Sequence, residues 1–290
     1  MKLELLKDQL KELGESLIVV GDEATIRVHI HTRDAEGVIA SSTAFGEIAD
    51  IDIRDMDQQH QDFVMLKNPD VFSQTAVVAV ASGDGLINVF AELGAAAVVS
   101  GGQTMNPSTM DILSIVEQIE SSNVIILPNN KNVIPTAELV QSLTQKTVTV
   151  IPSKTIPQGI AAMIELVPEM DFKTNSTAMK AGIGNVKTIE ITRATRDALV
   201  NGIKIAQGQY IGMLDGKLKA ANDTAGAAIL QLLKNIDSAF LNLATIYFGA
   251  QTRAEDAEAL ANEISTHYPS ISAGVVNGGQ PDHLYIISVE

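Results

Sequence analysis

Two stretches of this chain carry residue types that could hold a ligand. The first is SGGQTMNPSTMDIL, residues 100–113. A short apolar run ends at Val99, and Gly101 and Gly102 then let the backbone turn tightly. Gln103, Thr104, Asn106, Ser108 and Thr109 follow, with Pro107 among them. Asn106 suits an N-cap, and Pro107 suits the first helical position, where no N–H is required. The free amides of such a helix start, joined by the Thr104, Ser108 and Thr109 hydroxyls, would receive a carboxylate or a phosphate. Lys131 and Lys154 stand in loops that could bring positive charge nearby. In the opposing reading, capping consumes every amide and the loop binds nothing.

The second stretch is TIRVHIHTRD, residues 25–34. In a strand, His29 and His31 point to one face with Cα atoms about 6.6 Å apart. That spacing suits two imidazoles converging on a metal ion or an anion; otherwise both face water. Zinc takes three or four protein ligands. The chain has no cysteine, so His60 or an aspartate would have to complete a set. The acidic run DIDIRDMDQQHQD, residues 50–62, has no glycine at the turn of an EF-hand loop and reads as a solvated strand edge and linker.

A third stretch, VVNGGQPDHLYIISVE at residues 275–290, repeats the Gly-Gly-Gln motif at Gly278, Gly279 and Gln280. Across a cleft these residues would form the wall opposite Gly101 and Gly102. His283 beside Asp282 hints at acid–base work, but no GxSxG elbow is there to serve, and the reading is a surface histidine. Arg193 and Arg196, in TRATRD, either meet acidic groups across the cleft or lie on a strand surface.

The elements that must place these residues follow from the apolar pattern. Strands are expected at 16–20, 25–31, 75–81, 95–99, 123–127, 147–151, 186–194, 209–214, 241–248, 271–276 and 284–289. Helices are expected at 2–13, 34–44, 85–93, 107–120, 131–143, 157–166, 174–183, 223–235 and 252–267, the last opened by a capping box from Thr252 to Glu255. Strand–helix alternation over residues 75–166 predicts an α/β fold with a parallel sheet. Its strands (VVAVA, AAVV, VIIL, VTVI) read as apolar runs buried on both faces. Asp215-Gly216 between two strands marks a hairpin. The expected divisions are a small α+β unit at 1–62, an α/β subdomain at 63–170 and an α+β subdomain at 171–290. In a parallel sheet, the loops 82–85, 100–109, 128–132 and 152–159 share the carboxyl edge, where open α/β sheets place their ligands.

Composition narrows the function classes. The net charge of −15 repels nucleic acid and anionic membrane surfaces, and aromatic residues at 4% with no tryptophan leave no base-stacking surface. No apolar run approaches a membrane span, and the start MKLELLKDQLKELGESL is a charged amphipathic helix rather than a signal peptide. The absence of cysteine fits a cytoplasmic protein. Neither GxxxxGK[ST] nor GxGxxG occurs, so no nucleotide site is expected.

The segments VVSGGQTMNPSTMDIL, VIILPNNKNVI, VIPSKTIPQGIAAMI and GGQP…YIISVE resemble the C-terminal region of the fatty acid kinase A family, and the resemblance covers essentially the whole chain. Members are long bacterial proteins with a dihydroxyacetone-kinase-like ATP domain at the N-terminus. The resemblance implies a truncated middle domain joined to a DegV-like C-terminal domain of two subdomains. His29 and His31 match the family's zinc-binding pair, whose third ligand is a cysteine that this chain lacks, so no cofactor is certain and zinc is the candidate. DegV proteins hold a fatty acid carboxylate with Thr and Ser from a loop that Thr104 and Ser108 match. They add a His from an HTGPG-like loop, which reads NGGQPDH here. That departure favours a non-catalytic scaffold that docks a DegV-type fatty-acid-binding partner for acyl phosphorylation by a separate ATP domain. The alternatives are a small-anion- or fatty-acid-binding protein using its own cleft, and a metal-dependent phosphatase. A homodimer is expected.

Overall fold

The computed structural model describes residues 2–21, 26–46, 48, 51, 63–65, 75–102 and 106–290. The chain divides into two compact units, Met1–Gln61 and Asp62–Glu290. In the first, helix α1 (Lys2–Leu10) buries Leu6 and Leu10. Strands β1 (Glu15–Gly21) and β2 (Ile26–His31) form an antiparallel pair, and helix α2 (Ala35–Thr43) follows. Asp34 caps α2, its carboxylate accepting from the Gly37 N–H at 2.8 Å. The strand expected after α2 falls largely outside the described residues.

The second unit opens with β3 (Phe63–Met65), β4 (Ala76–Ala81), α3 (Asp84–Glu92), β5 (Ala97–Ser100), α4 (Thr109–Gln118), β6 (Asn123–Leu127), α5 (Ile134–Leu143), β7 (Thr147–Val150) and α6 (Ile156–Ile164). They build a five-stranded sheet in the order β3-β5-β4-β6-β7, parallel except for β3 at one edge. Every residue of β4 is buried, as a strand covered on both faces requires. Next come α7 (Phe172–Gly182), β8 (Lys187–Arg193), β9 (Ala198–Val200), β10 (Ile203–Ile205), β11 (Tyr210–Leu214), β12 (Lys217–Asn222), α8 (Ala225–Leu233), β13 (Leu243–Phe248), α9 (Ala254–His267), β14 (Ser272–Asn277) and β15 (Tyr285–Val289). A mixed sheet of six strands runs β12-β11-β8-β15-β13-β14. The α/β class and the parallel sheet are as the sequence predicts.

Three apolar cores stack through this unit. One lies between the five-stranded sheet and α4 and α5, through Ile112, Ile115 and Val140. Another lies between the six-stranded sheet and α8 and α9, through Ile229, Leu232 and Ile264. The central core joins both sheets: Val77, Phe90 and Met179 meet Tyr247 and Ile286 there. The two sheets therefore share buried surface, and the ligand edge of the first faces the second.

Three short strands escape the sequence pattern: β3, β9 and β10. The last two had a readable signal, since Asn201 and Gly202 (φ 50° and 80°) form the turn that Asn-Gly favours. The Asp215-Gly216 turn joins β11 to β12 as expected, with φ of 48° and 72°. Two helix starts are corrected. Helix α9 begins at Ala254 after Arg253, and Thr252 is no cap: its hydroxyl donates to the Leu284 carbonyl at 3.1 Å. Arg253 instead grips Asp256 with two hydrogen bonds of 2.9 and 2.7 Å. Helix α4 begins at Thr109, after Ser108 as its N-cap. No helix among the described residues is long and apolar enough to cross a membrane.

Candidate functional site at the carboxyl edge of the parallel sheet

The loop after β4 is short because Gly83 turns at φ 104°, and α3 starts at once. It lies directly on the 277–280 loop. A Cβ on Gly83 would come within 2.5 Å of the Gln280 nitrogen and the Gly278 oxygen, and one on Gly85 within 1.8 Å of the Asn277 oxygen. The two backbones touch without side chains between them. The Leu86 N–H, in the first turn of α3, donates to the Gly278 carbonyl at 3.0 Å. A helix-start amide that could have faced an anion is thus satisfied by the protein itself. Gly278 and Gly279 in turn donate their N–H groups to the Phe248 carbonyl at 3.0 and 3.1 Å. Gln280 is buried; its amide nitrogen donates to the Tyr247 carbonyl at 2.8 Å, while Oε1 has no hydrogen-bond partner among the described residues.

After β5, the Gly101 N–H donates to the Ala81 carbonyl, and Gly102 sits beside Ser82 and Asp282. Gln103 and Thr104 lie outside the described residues. Asn106 is exposed and does not cap a helix; the N-cap of α4 is Ser108, two residues later than the sequence places it. Asp111 is the cause. Its Oδ2 accepts from the Ser108 N–H at 2.8 Å and from the Ser108 hydroxyl at 2.7 Å, and the Asp111 N–H donates to the Ser108 Oγ at 3.2 Å. This reciprocal capping box uses the Ser108 groups expected to meet a ligand. Thr109 donates its hydroxyl to the Thr136 carbonyl at 3.5 Å. Ser108→Ala is expected to cost about 1 kcal/mol, read as a lower midpoint in urea unfolding with an unchanged slope.

The loops after β6 and β7 are tied together. The Asn129 N–H donates to the Ser153 Oγ at 3.0 Å, that hydroxyl donates to the Asn129 Oδ1 at 2.7 Å, and the Asn129 Nδ2 donates to the Val80 carbonyl at 3.0 Å. Asn130 reaches the Gly102 carbonyl through Nδ2 at 3.2 Å. Thr155 bonds Thr188 of β8 at 2.8 Å, bridging to the six-stranded sheet. Lys131 and Lys154 are both exposed.

The six-stranded sheet brings two groups that sequence reasoning missed or misplaced. Glu190 of β8 and His283 are both buried, with His283 Nε2 3.9 Å from the Glu190 Oε1. His283 is therefore not a surface histidine. Burial holds its imidazole below the ordinary range, and Asp282 pulls the other way with less effect. Thr192 donates its hydroxyl to the Asp282 carbonyl at 3.4 Å. This edge thus gathers two carboxyl side chains and a buried imidazole whose protonation burial disfavours. Arg193 does not cross to them. It stacks on the Tyr210 ring at 5.0 Å from the ring centroid and donates to the Tyr210 hydroxyl at 3.2 Å.

Residues 76–290 match the C-terminal family model of FakA-like fatty acid kinases, and residues 1–63 match the model of the FakA-like middle domain. The chain belongs to the FakA-like fatty acid kinase family. It is similar to Protein YloV of Bacillus subtilis (strain 168), 33% identical over 291 residues that cover 98% of this chain and 53% of that protein. The chain spans about half the length of the curated relatives it matches. It shares the fold of the DegV family protein Cg2579 from Corynebacterium glutamicum, at TM-score 0.54 and 13% identity over 74% of this chain and 96% of that one. It also shares the fold of the Streptococcus pneumoniae fatty acid kinase B3 protein loaded with linoleic acid, at TM-score 0.52 and 11% identity over 74% and 99%.

In this member of the family, His29 and His31 lie in β2, opposite Ile18 and Glu15 of β1. His60 lies outside the described residues. Among the described residues no group of three or more His, Cys, Asp or Glu could hold a metal ion. A zinc site at this pair would need ligands beyond His29 and His31, since zinc takes three or four.

Proposed function

We propose that this chain is a non-catalytic region of a bacterial fatty acid kinase. It docks a DegV-type fatty-acid-binding protein, whose acyl group a separate ATP domain phosphorylates. The observation that carries this reading is the contact between the loop after β4 and the 277–280 loop at the carboxyl edge. The contact of Gly83 and Gly85 with the 277–280 loop occupies the place where an open α/β sheet takes a ligand. His283, whose protonation burial disfavours, offers no fixed positive charge to a fatty acid carboxylate. Family membership supplies the link to acyl phosphorylation, and a cytoplasmic location follows from the same reading.

Sedimentation velocity of the chain with a DegV-type fatty-acid-binding protein tests the docking and reads the expected homodimer in the same run. A complex should form, while calorimetric titration of the chain alone with oleate should give no heat of binding. Micromolar oleate binding lost in Ser108→Ala would replace the scaffold with an acyl carrier. Magnesium-dependent acyl phosphate formation by the chain alone would reject the non-catalytic reading.

A further inference from the structure

Strand β7 ends the five-stranded sheet, so among the described residues one row of its backbone N–H and C=O groups has no neighbouring strand. Proteins blunt such edges with charges, prolines or bulges, because an open edge is a template for another strand. The sequence of β7, TVTV, carries none of these. Its faces also differ. Val148 and Val150 pack into the core with α4 and α5. Thr149 turns to the other face, into a groove of about 490 Å³ that α7 bounds on its far side.

The α7 wall has a definite chemistry. Phe172 gives it an apolar end, and Lys173, Thr177 and Lys180 form one stripe at helical spacing. The Ser176 and Thr177 hydroxyls turn back to their own helix, donating to the Phe172 and Lys173 carbonyls at 2.7 and 2.8 Å. Lys173 and Lys180 are exposed, and neither ammonium makes an ion pair or hydrogen bond among the described residues. In a chain of net charge −15, this groove carries two uncommitted positive charges beside an open strand edge.

We infer that the β7 edge and the Lys173–Lys180 stripe of α7 form a docking groove for an extended acidic segment of a protein partner, which adds to the sheet as a sixth strand. Backbone bonds to β7 would supply affinity, and carboxylates facing the lysines would supply selectivity. Seven helical residues separate the lysines by about 10.5 Å along the axis. Same-face residues four apart in a strand lie about 13 Å apart, within reach of two lysine side chains. The segment should therefore carry acidic residues at i and i+4. This inference does not depend on the proposed docking of a DegV-type protein.

The test uses the full chain and two fluorescein-labelled eight-residue peptides, TVEVTVEV and TVKVTVKV. Fluorescence polarisation should show saturable binding of the Glu peptide and much weaker binding of the Lys peptide. Amide hydrogen exchange should slow at residues 147–150 when the Glu peptide is bound. The double substitution Lys173→Glu with Lys180→Glu lies on an exposed face and should leave the melting temperature unchanged. It should weaken the Glu peptide at least about tenfold, ~1.4 kcal/mol, and favour the Lys peptide. Three results would each overturn the inference: no saturable binding, exchange unchanged at 147–150, or indifference to the charge reversal. A single-stranded oligonucleotide binding as tightly as the Glu peptide would mark the groove as a generic polyanion site and overturn strand addition too.

Discussion

Gly85→Ala is expected to lower the melting temperature of this chain by about 4–8 °C, the equivalent of about 2 kcal/mol for a protein of this size. Inside a helix the same change normally stabilises by about 1 kcal/mol, because alanine is the better helix former. Here the added methyl would sit 1.8 Å from the Asn277 carbonyl oxygen and 2.7 Å from its carbon. Both are backbone atoms, so no rotamer change relieves the overlap. The loops must part, and the bond from the Leu86 N–H to the Gly278 carbonyl goes with them. Overpacking of this kind costs roughly 1–3 kcal/mol or more, and the lost hydrogen bond adds about 1. Gly274→Ala is the control. Among the described residues nothing beyond its chain neighbours lies within 4 Å of its added carbon, and its effect should stay within about 0.5 kcal/mol. Calorimetry of the two variants decides the matter: equal melting temperatures would mean that the loops do not hold the sheets together.

Acid should weaken the fold through His283. Its unfolded value is near 6.5 and its folded value is lower, chiefly because the ring is buried. Above about pH 7 both states are neutral at this position, and the group contributes no pH dependence. As pH falls below about 6.5, the unfolded chain takes up a proton that the folded chain resists, so stability drops until the folded value is reached. Asp171 and Asp256 do not confuse this window. Their depressed values lie below 3.8, so the stability they add is intact at pH 5 and is lost only in stronger acid. The melting temperature should therefore fall between about pH 7 and about pH 5, and His283→Gln should flatten that slope. A wild-type curve that rises on acidification would show the imidazolium stabilised by Glu190, reversing the assignment.

The strands of the first sheet were legible because burial on both faces leaves an unbroken apolar run, as in AVVAVA of β4. Glu190 was not. In KTIEITR, alternation places Thr188 and Glu190 on the polar side of β8, which in isolation reads as the wet face. Tertiary packing covers that side, where Thr155 meets Thr188 and His283 approaches Glu190. The start of α4 was misread because two caps compete within three residues. Asn106-Pro107 has the right residue types, but Ser108 and Asp111 satisfy each other in both directions, and the reciprocal pair wins. Within the polar stretch 100–109, residues 101–102 and 106 lie outside helix and strand, as the sequence predicts. The sequence could not show that Gly102 lies against Asp282, since residues so distant in sequence meet only through packing.

The place of β15 has a kinetic consequence. Residues 285–289 form an inner strand of the six-stranded sheet, with β8 on one side and β13 on the other. Ile191 must wait for Tyr285, and no earlier segment offers β8 this partner. On the ribosome, the hairpin of β11 and β12 can form and pair with β8, yet the two halves of the sheet stay apart until residues 285–289 have emerged. Pairing over such long loops is slow. Between the emergence of β13 and that of β15 the nascent chain therefore carries two unfinished strand edges, on β8 and β13, and this exposure to misassembly ends when β15 slots between them.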